Sequence, residues 1–146
     1  MEIKSRAFND GGNIPSRYTC DGEDINPSLE ILDIPNETKT LALIVDDPDA
    51  PNKIWTHWLV WNISVEDHSI EEGQPPKNAK YGTNDFGKLE YRGPCPPFGT
   101  HRYFFKVYAL DTELQIPTGA SKEELLVLID QHKMSSAKLM GLYSKR

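Results

Sequence analysis

Cysteine is scarce: the chain holds only Cys20 and Cys95. Two cysteines are too few for a disulfide-stapled scaffold and do not make a Cys-rich zinc motif. A single Cys20–Cys95 bridge and a pair of reduced thiols both fit the count, and the redox-compartment argument favours reduced thiols. Long apolar runs are missing from the N-terminal MEIKSRAFND, so neither a signal peptide nor a membrane span is expected there. A cytoplasmic location is then the default expectation. Positive charge is in deficit too, with 16 Lys and Arg against 22 Asp and Glu and a formal net charge of −6. That balance argues against nucleic acid as a partner, since non-specific binding needs a basic surface. There is no run of like charges that would make an interaction tail, and no internal repeat. NET and NIS, at residues 36–38 and 62–64, match the glycosylation pattern but are read as chance matches.

What remains is a 146-residue chain with 38% hydrophobic and 26% charged side chains. This suits one soluble globular domain, residues 1–146, with a real hydrophobic core. Its strand signals come in short pieces separated by turn chemistry. LALIV at residues 41–45 is an apolar run that stops at DDPDAPN, where two prolines cannot join a ladder. WTHWLVWNIS at 55–64 and RYFFKVYAL at 102–110 are rich in aromatic and β-branched residues, as buried strands are. Between them lies a polar stretch, residues 65–89, that reads as a long loop.

One helix stands out. Ser121 and Glu124 form a capping-box pair after the 117–119 break, and Leu125, Leu128 and Ile129 supply a face for a sheet. The predicted helix runs through ELLVLIDQHKM, with Gly141 as an interruption before the tail. The fold class that follows is mainly β: an antiparallel two-sheet β-sandwich with a C-terminal helix.

Side chains alternate faces along a strand. Strict alternation puts Leu41, Leu43, Val45 and Asp47 on one face of the first strand. It does the same for Trp55, His57, Leu59, Trp61 and Ile63, and for His101, Tyr103, Phe105, Val107 and Ala109. If those faces look into the core, then Asp47, His57, His101 and Tyr103 converge at its rim and form a pocket. Each alone has a commonplace use, as a satisfied edge residue or an Asx turn at Asp47 and Asp49. Arg102, on the face opposite His101, reads as an ion-pair partner or loop anchor.

DDPDAP at 46–51, followed by WTHWLVWNI and then by GPCPPFGTHRYFF at 93–105, resembles the phosphatidylethanolamine-binding protein family. The likeness is to its bacterial and archaeal branch, the Raf kinase inhibitor-like YbhB/YbcL type. IPSRYTCDG at 14–22, GTNDFG at 82–87 and the tail GLYSKR at 141–146 agree with it. The resemblance implies two antiparallel sheets with a ligand pocket at one end, taking phosphate, acetate, phosphorylated head groups or phospho-amino acids. Its binding positions carry over to Asp47, Asp49, Pro51, Trp55 and His57. From the second motif come Gly93, Pro94, Cys95, Pro96, His101 and Tyr103.

It further implies regulation of a protein partner, a kinase or a serine protease. Apart from the resemblance, a second copy of the chain is another candidate partner. Two departures from mammalian members bear on the kinase role. Only Phe98, Gly99 and Thr100 separate the Pro-Pro pair from His101, and the chain stops soon after Gly141. Tyr143 is not assigned to the pocket.

Imidazole N–H groups, a phenol and backbone amides can hold an anion without lysine. The carboxylates would repel a fully ionised phosphate, so a proton must be shared with the ligand or carried by an imidazole. Either case predicts tighter anion binding in mild acid. No H-x-H or H-E-x-x-H spacing supports a metal, and Cys95 between two prolines lacks the setting of an activated nucleophile. No cofactor, metal or catalytic residue is assigned. The reading is a small-anion-binding regulatory protein, with a serine-protease inhibitor acting through surface loops as the alternative and a hydrolase as the third.

Overall fold

The three strongest apolar runs lie side by side. In a computed structural model that describes residues 1–145, they form the centre of a five-stranded antiparallel sheet. Its strands are β3 (Thr40–Asp47), β4 (Trp55–Ser64), β6 (Lys80–Tyr81), β7 (Thr100–Leu110) and β8 (Lys133–Ser144), in the order β6-β4-β3-β7-β8. A smaller sheet, β1-β2-β5, pairs Glu2–Lys4, Leu29–Leu32 and Ser69–Ile70 and lies over one face of the larger. Leu29, Ile31 and Ile70 of the small sheet pack with Leu41, Leu43, Val45, Phe105 and Val107 of the large one, and this is the main core. Among the described residues no helix is long and apolar enough to cross a membrane.

The other face of the large sheet is covered by α1 (Lys122–His132). Ser121 caps it as expected: its hydroxyl accepts the Glu124 N–H at 3.1 Å, and the Glu124 carboxylate accepts the Ser121 N–H at 3.1 Å. Leu125 and Ile129 are fully buried against Ala42, Ile44, Leu59 and Trp61. The sandwich and its helix thus agree with the expected fold class.

Three expectations need correction. First, the helix does not run on toward Gly141. It ends at His132, and Lys133 turns directly into β8, the 12-residue outer neighbour of β7. KMSSAKLMGLYS carries almost no β-forming residues, so pairing with β7 and burial of Leu139, Gly141 and Tyr143 on one face decide its conformation. Gly141 is a site of close approach, because a Cβ there would lie 2.4 Å from Ile14 and 2.8 Å from Phe8.

Second, β4 does not alternate strictly. Val45 pairs with Trp58 but Asp46 with Thr56, so one extra residue sits at His57, and a second sits between Val60 and Ile63. Each bulge flips the facing. Trp58 and Val60 therefore enter the sandwich core, while Leu59 and Trp61 face the helix instead of sharing the His57 face. Asn62, in the second bulge, has φ of 55° and bonds through its side chain to both backbone groups of Leu114.

Third, the cysteines are not reduced thiols. Cys20 and Cys95 form a disulfide with Cα atoms 5.5 Å apart. The 14–22 segment lies against the 93–97 loop, a contact between distant segments that brings the two sulfurs together. Arg146, the last residue of the expected tail motif, lies outside the described residues.

Candidate functional site

The pocket sits where β3, β4 and β7 end. Asp47 is the last residue of β3 and pairs in register with Trp55, the first of β4, while His101 and Tyr103 open β7. The bulge at His57 turns that ring inward beside them. The result is a cavity of about 330 Å³. Asp47, His57, His101 and Tyr103, the four residues that alternation pointed to, all line it. Pro51, Trp55, Cys95 and Pro96, carried by the resemblance, line it as well.

Asp47 is buried, with one carboxylate oxygen accepting the Asp49 N–H at 2.8 Å and the other 2.7 Å from His101 Nδ1. A carboxylate can only accept, so His101 Nδ1 carries the proton and the ring is held in one orientation. His57 Nδ1 lies 2.7 Å from the Arg92 carbonyl, which likewise can only accept. In the neutral ring Nε2 is then the lone-pair nitrogen. Burial pushes the His57 ring below its ordinary value, against the smaller opposing pull of the Arg92 carbonyl and Asp47.

Tyr103 is held far above an ordinary phenol, first by burial and then by the Asp47 charge, so its hydroxyl stays a donor. That hydroxyl is sealed from solvent with no partner at hydrogen-bonding geometry among the described residues, although Asp47 and the Cys95 backbone are near enough to act on its titration. A buried donor without a partner inside a cavity is a place where a ligand atom or a water belongs.

Three assigned residues do not line the cavity. Asp49 gives its carboxylate to Arg102, accepting the backbone N–H and Nε at 2.9 Å and a guanidinium nitrogen at 2.8 Å. The hydrogen bond from Arg102 holds its carboxyl down to about 2. Arg102 is thus the ion-pair partner that its outward facing suggested. Gly93 and Pro94 stand behind the wall. The Gly93 N–H donates to Asp24 at 2.7 Å and the Pro94 carbonyl accepts the Cys20 N–H at 3.1 Å. A Cβ on Gly93 would fall 2.0 Å from the Tyr18 carbonyl, so only glycine allows this approach. Tyr143 lies across from His101 in the ladder but is buried, with its hydroxyl directed to Asp21 rather than to the cavity.

Sequence reasoning missed Phe86, Ala50 and Pro97, which also line the cavity. Phe86 meets Trp55 and His57 edge to face, with centroids 5.8 and 5.3 Å apart. Its turn is folded by buried Asn84, whose side chain accepts the N–H groups of Phe86 and Lys88 and donates to the carbonyls of His57 and Glu90. The signal was present in GTNDFG: an Asn two residues before an aromatic and three before a glycine, as an Asx turn requires. Asp24, at φ of 58°, was missed because nothing in its own neighbourhood marks it.

Comparison with known proteins bears on this geometry. The family profile described as phosphatidylethanolamine-binding protein matches residues 4–144. A UPF0098 protein of Methanothermobacter thermautotrophicus is 54% identical, over 99% of both chains. The crystal structure of a phosphatidylethanolamine-binding protein homolog from Chlamydia trachomatis superposes with a TM-score of 0.95 at 42% identity, covering 99% of this chain and 97% of that one. The Escherichia coli protein YbcL, described as a member of the mammalian PEBP family, does so with 0.93 at 29% identity, covering 99% and 98%. With the profile spanning nearly the whole chain and these relatives matched end to end, the chain belongs to the phosphatidylethanolamine-binding protein family.

Proposed function

We propose that the cavity binds a small anion, foremost a phosphate or phosphorylated head group, and that the protein acts by regulating a protein partner rather than by turning a substrate over. The observation that carries the reading is the buried, unpartnered Tyr103 hydroxyl beside two imidazoles in one cavity. Each imidazole is fixed through Nδ1, one on a carboxylate and one on a carbonyl. Both Nε2 atoms are then the nitrogens left for a ligand. His101 Nδ1 carries a proton, so in the neutral ring its Nε2 is a second acceptor and in the charged ring a donor.

A ligand bearing one proton suits this set, since it can donate to His57 and accept from Tyr103. A dianion meets the His57 lone pair and the Asp47 carboxylate. The dianion of a phosphate monoester takes up one proton near pH 6, so binding strengthens as pH falls toward that value. Trp55 and Phe86 at the wall suit the organic part of such a ligand, an ammonium-bearing head group included, through cation–π attraction.

The test is calorimetric titration with inorganic phosphate and phosphoethanolamine. His101→Ala is expected to lose at least about tenfold in affinity, equivalent to about 1.4 kcal/mol. Equal affinity in the variant removes the pocket from the account.

A second reading, serine-protease inhibition through a surface loop, is favoured by Phe98. It is 73% exposed, the most exposed of the large hydrophobic side chains, and it follows two prolines that stiffen its loop. A protease panel separates the readings. Inhibition that survives His101→Ala and disappears with Phe98→Ala belongs to the loop and not to the pocket.

A further inference from the structure

Four links join residues 17–24 to the pocket wall at residues 91–95. The Tyr91 hydroxyl donates to the Tyr18 carbonyl at 2.7 Å, the Gly93 N–H to Asp24 at 2.7 Å and the Cys20 N–H to the Pro94 carbonyl at 3.1 Å. The fourth is the Cys20–Cys95 disulfide, and Cys95 is itself a lining residue of the cavity. The same wall carries the Arg92 carbonyl that holds His57, and the Cys95 backbone lies against Tyr103. Cys20 is solvent-exposed, and the Lys145 ammonium sits 3.8 Å from its sulfur and 3.6 Å from that of Cys95. The bond that fixes the wall is therefore open to attack, and a cation waits beside the sulfur that would leave.

We propose that the Cys20–Cys95 disulfide is a redox-modifiable site whose co-substrate is a small dithiol, and that its reduction loosens the anion pocket. This rests on the reading of the cavity as an anion site. One thiolate of the dithiol attacks the sulfur of solvent-exposed Cys20, the Cys20–Cys95 bond breaks, and Cys95 leaves as a thiolate beside Lys145. The second thiol of the reductant then attacks its own sulfur in the mixed disulfide. Cys20 is released as a thiolate that is protonated, Cys95 takes up its proton, and the reductant becomes a cyclic disulfide. Two electrons pass to the protein.

Three hydrogen bonds remain, but the covalent tie across 75 residues is lost and the proline-rich wall regains freedom that ligand binding must then remove. The ammonium favours the leaving thiolate, as cationic neighbours of cysteine do. A cytoplasmic site of action, the expectation from sequence, would expose this bond to reductants that are absent outside the cell.

The experiment compares oxidised protein with protein reduced by dithiothreitol. Inorganic phosphate affinity is followed by calorimetry, and the Cys20 and Gly93 amides by hydrogen exchange. Reduction is expected to weaken phosphate binding by about tenfold and to speed exchange of both amides. The β3 amides of Leu43 and Val45 stay protected, and reoxidation reverses the change. Lys145→Met is expected to slow reduction about three- to fivefold.

Equal affinity and equal amide protection in the two states would overturn the inference. So would global unfolding on reduction, exposing Leu43 and Val45, since the bond would then be only a staple. If neither state binds phosphate the pocket reading fails, and local exchange at Cys20 and Gly93 still decides whether the wall responds to reduction.

Discussion

Asp46 and Asp47 are neighbours on β3, both almost fully buried, and they face opposite sides of the sheet. On the helix side Asp46 receives two ammonium groups, Lys122 at 2.9 Å and Lys106 at 3.2 Å. On the pocket side Asp47 has one imidazole and one backbone amide. The first carboxylate is neutralised by fixed charges and ties α1 and β7 to β3. The second holds a titratable ring at the wall of a cavity. A buried carboxylate thus serves structure where its partners are permanent cations, and serves a site where its partner can change its protonation.

Substitutions at the two positions should therefore fail differently. Asp46→Ala leaves two lysines without their partner and uncovers the sheet–helix junction. It is expected to cost about 3 kcal/mol in denaturant unfolding, at the low end for a broken buried pair because both lysines can reach solvent. Phosphate affinity and its pH dependence should be unchanged. Asp47→Asn keeps an acceptor for His101 but removes the charge. It is expected to cost under about 1.5 kcal/mol and to flatten the pH dependence of phosphate binding. If both variants lose stability equally and both retain the pH profile, the contrast between the two faces is wrong.

A smaller effect is expected at Asp49, which is half-buried and paired with a solvent-open arginine. Its pairing with Arg102 adds stability that is fully present above the ordinary carboxylate value of 3.8 and is lost as pH falls toward about 2. Because Arg102 is open to water, Arg102→Ala should produce a barely measurable change in thermal stability at pH 7. Phosphate binding should not change. A loss of affinity in that variant would place Asp49 or Arg102 in the site after all.

The parts of this picture that were legible in the sequence are those written in local pattern. β3, β4 and β7 announce themselves through Leu, Val, Trp and Phe runs, and α1 through its Ser121–Glu124 cap. Alternation placed Asp47, His101 and Tyr103 on the core face, because neither β3 nor β7 is interrupted between those residues and the core. His57 came to the same cavity by a different route. The bulge beside it reverses the facing of Leu59 and Trp61, and nothing in WTHWLVW marks that extra residue.

β8 was illegible because Ser135, Ser136, Ala137 and Lys138 have no preference for a strand and are placed by β7 alone. The disulfide and Asp24 were illegible for a related reason. Both depend on residues 17–24 meeting residues 91–95, a contact between distant segments that leaves no mark in either segment by itself.

The central claim is that the pocket accepts a protonated anion through His57, His101 and Tyr103. His57 is the reporter: burial lowers its titration, so the folded ring is neutral at pH 7 and takes up a proton only below its ordinary value of 6.5. The most direct measurement is inorganic phosphate affinity from pH 8.5 to 5.5, with the imidazole resonances of His57 and His101 followed in the same titrations. The account predicts that affinity rises as pH falls and that both rings shift on binding. Affinity that rises steadily toward pH 8.5, or rings that do not move with phosphate at any pH, would contradict it.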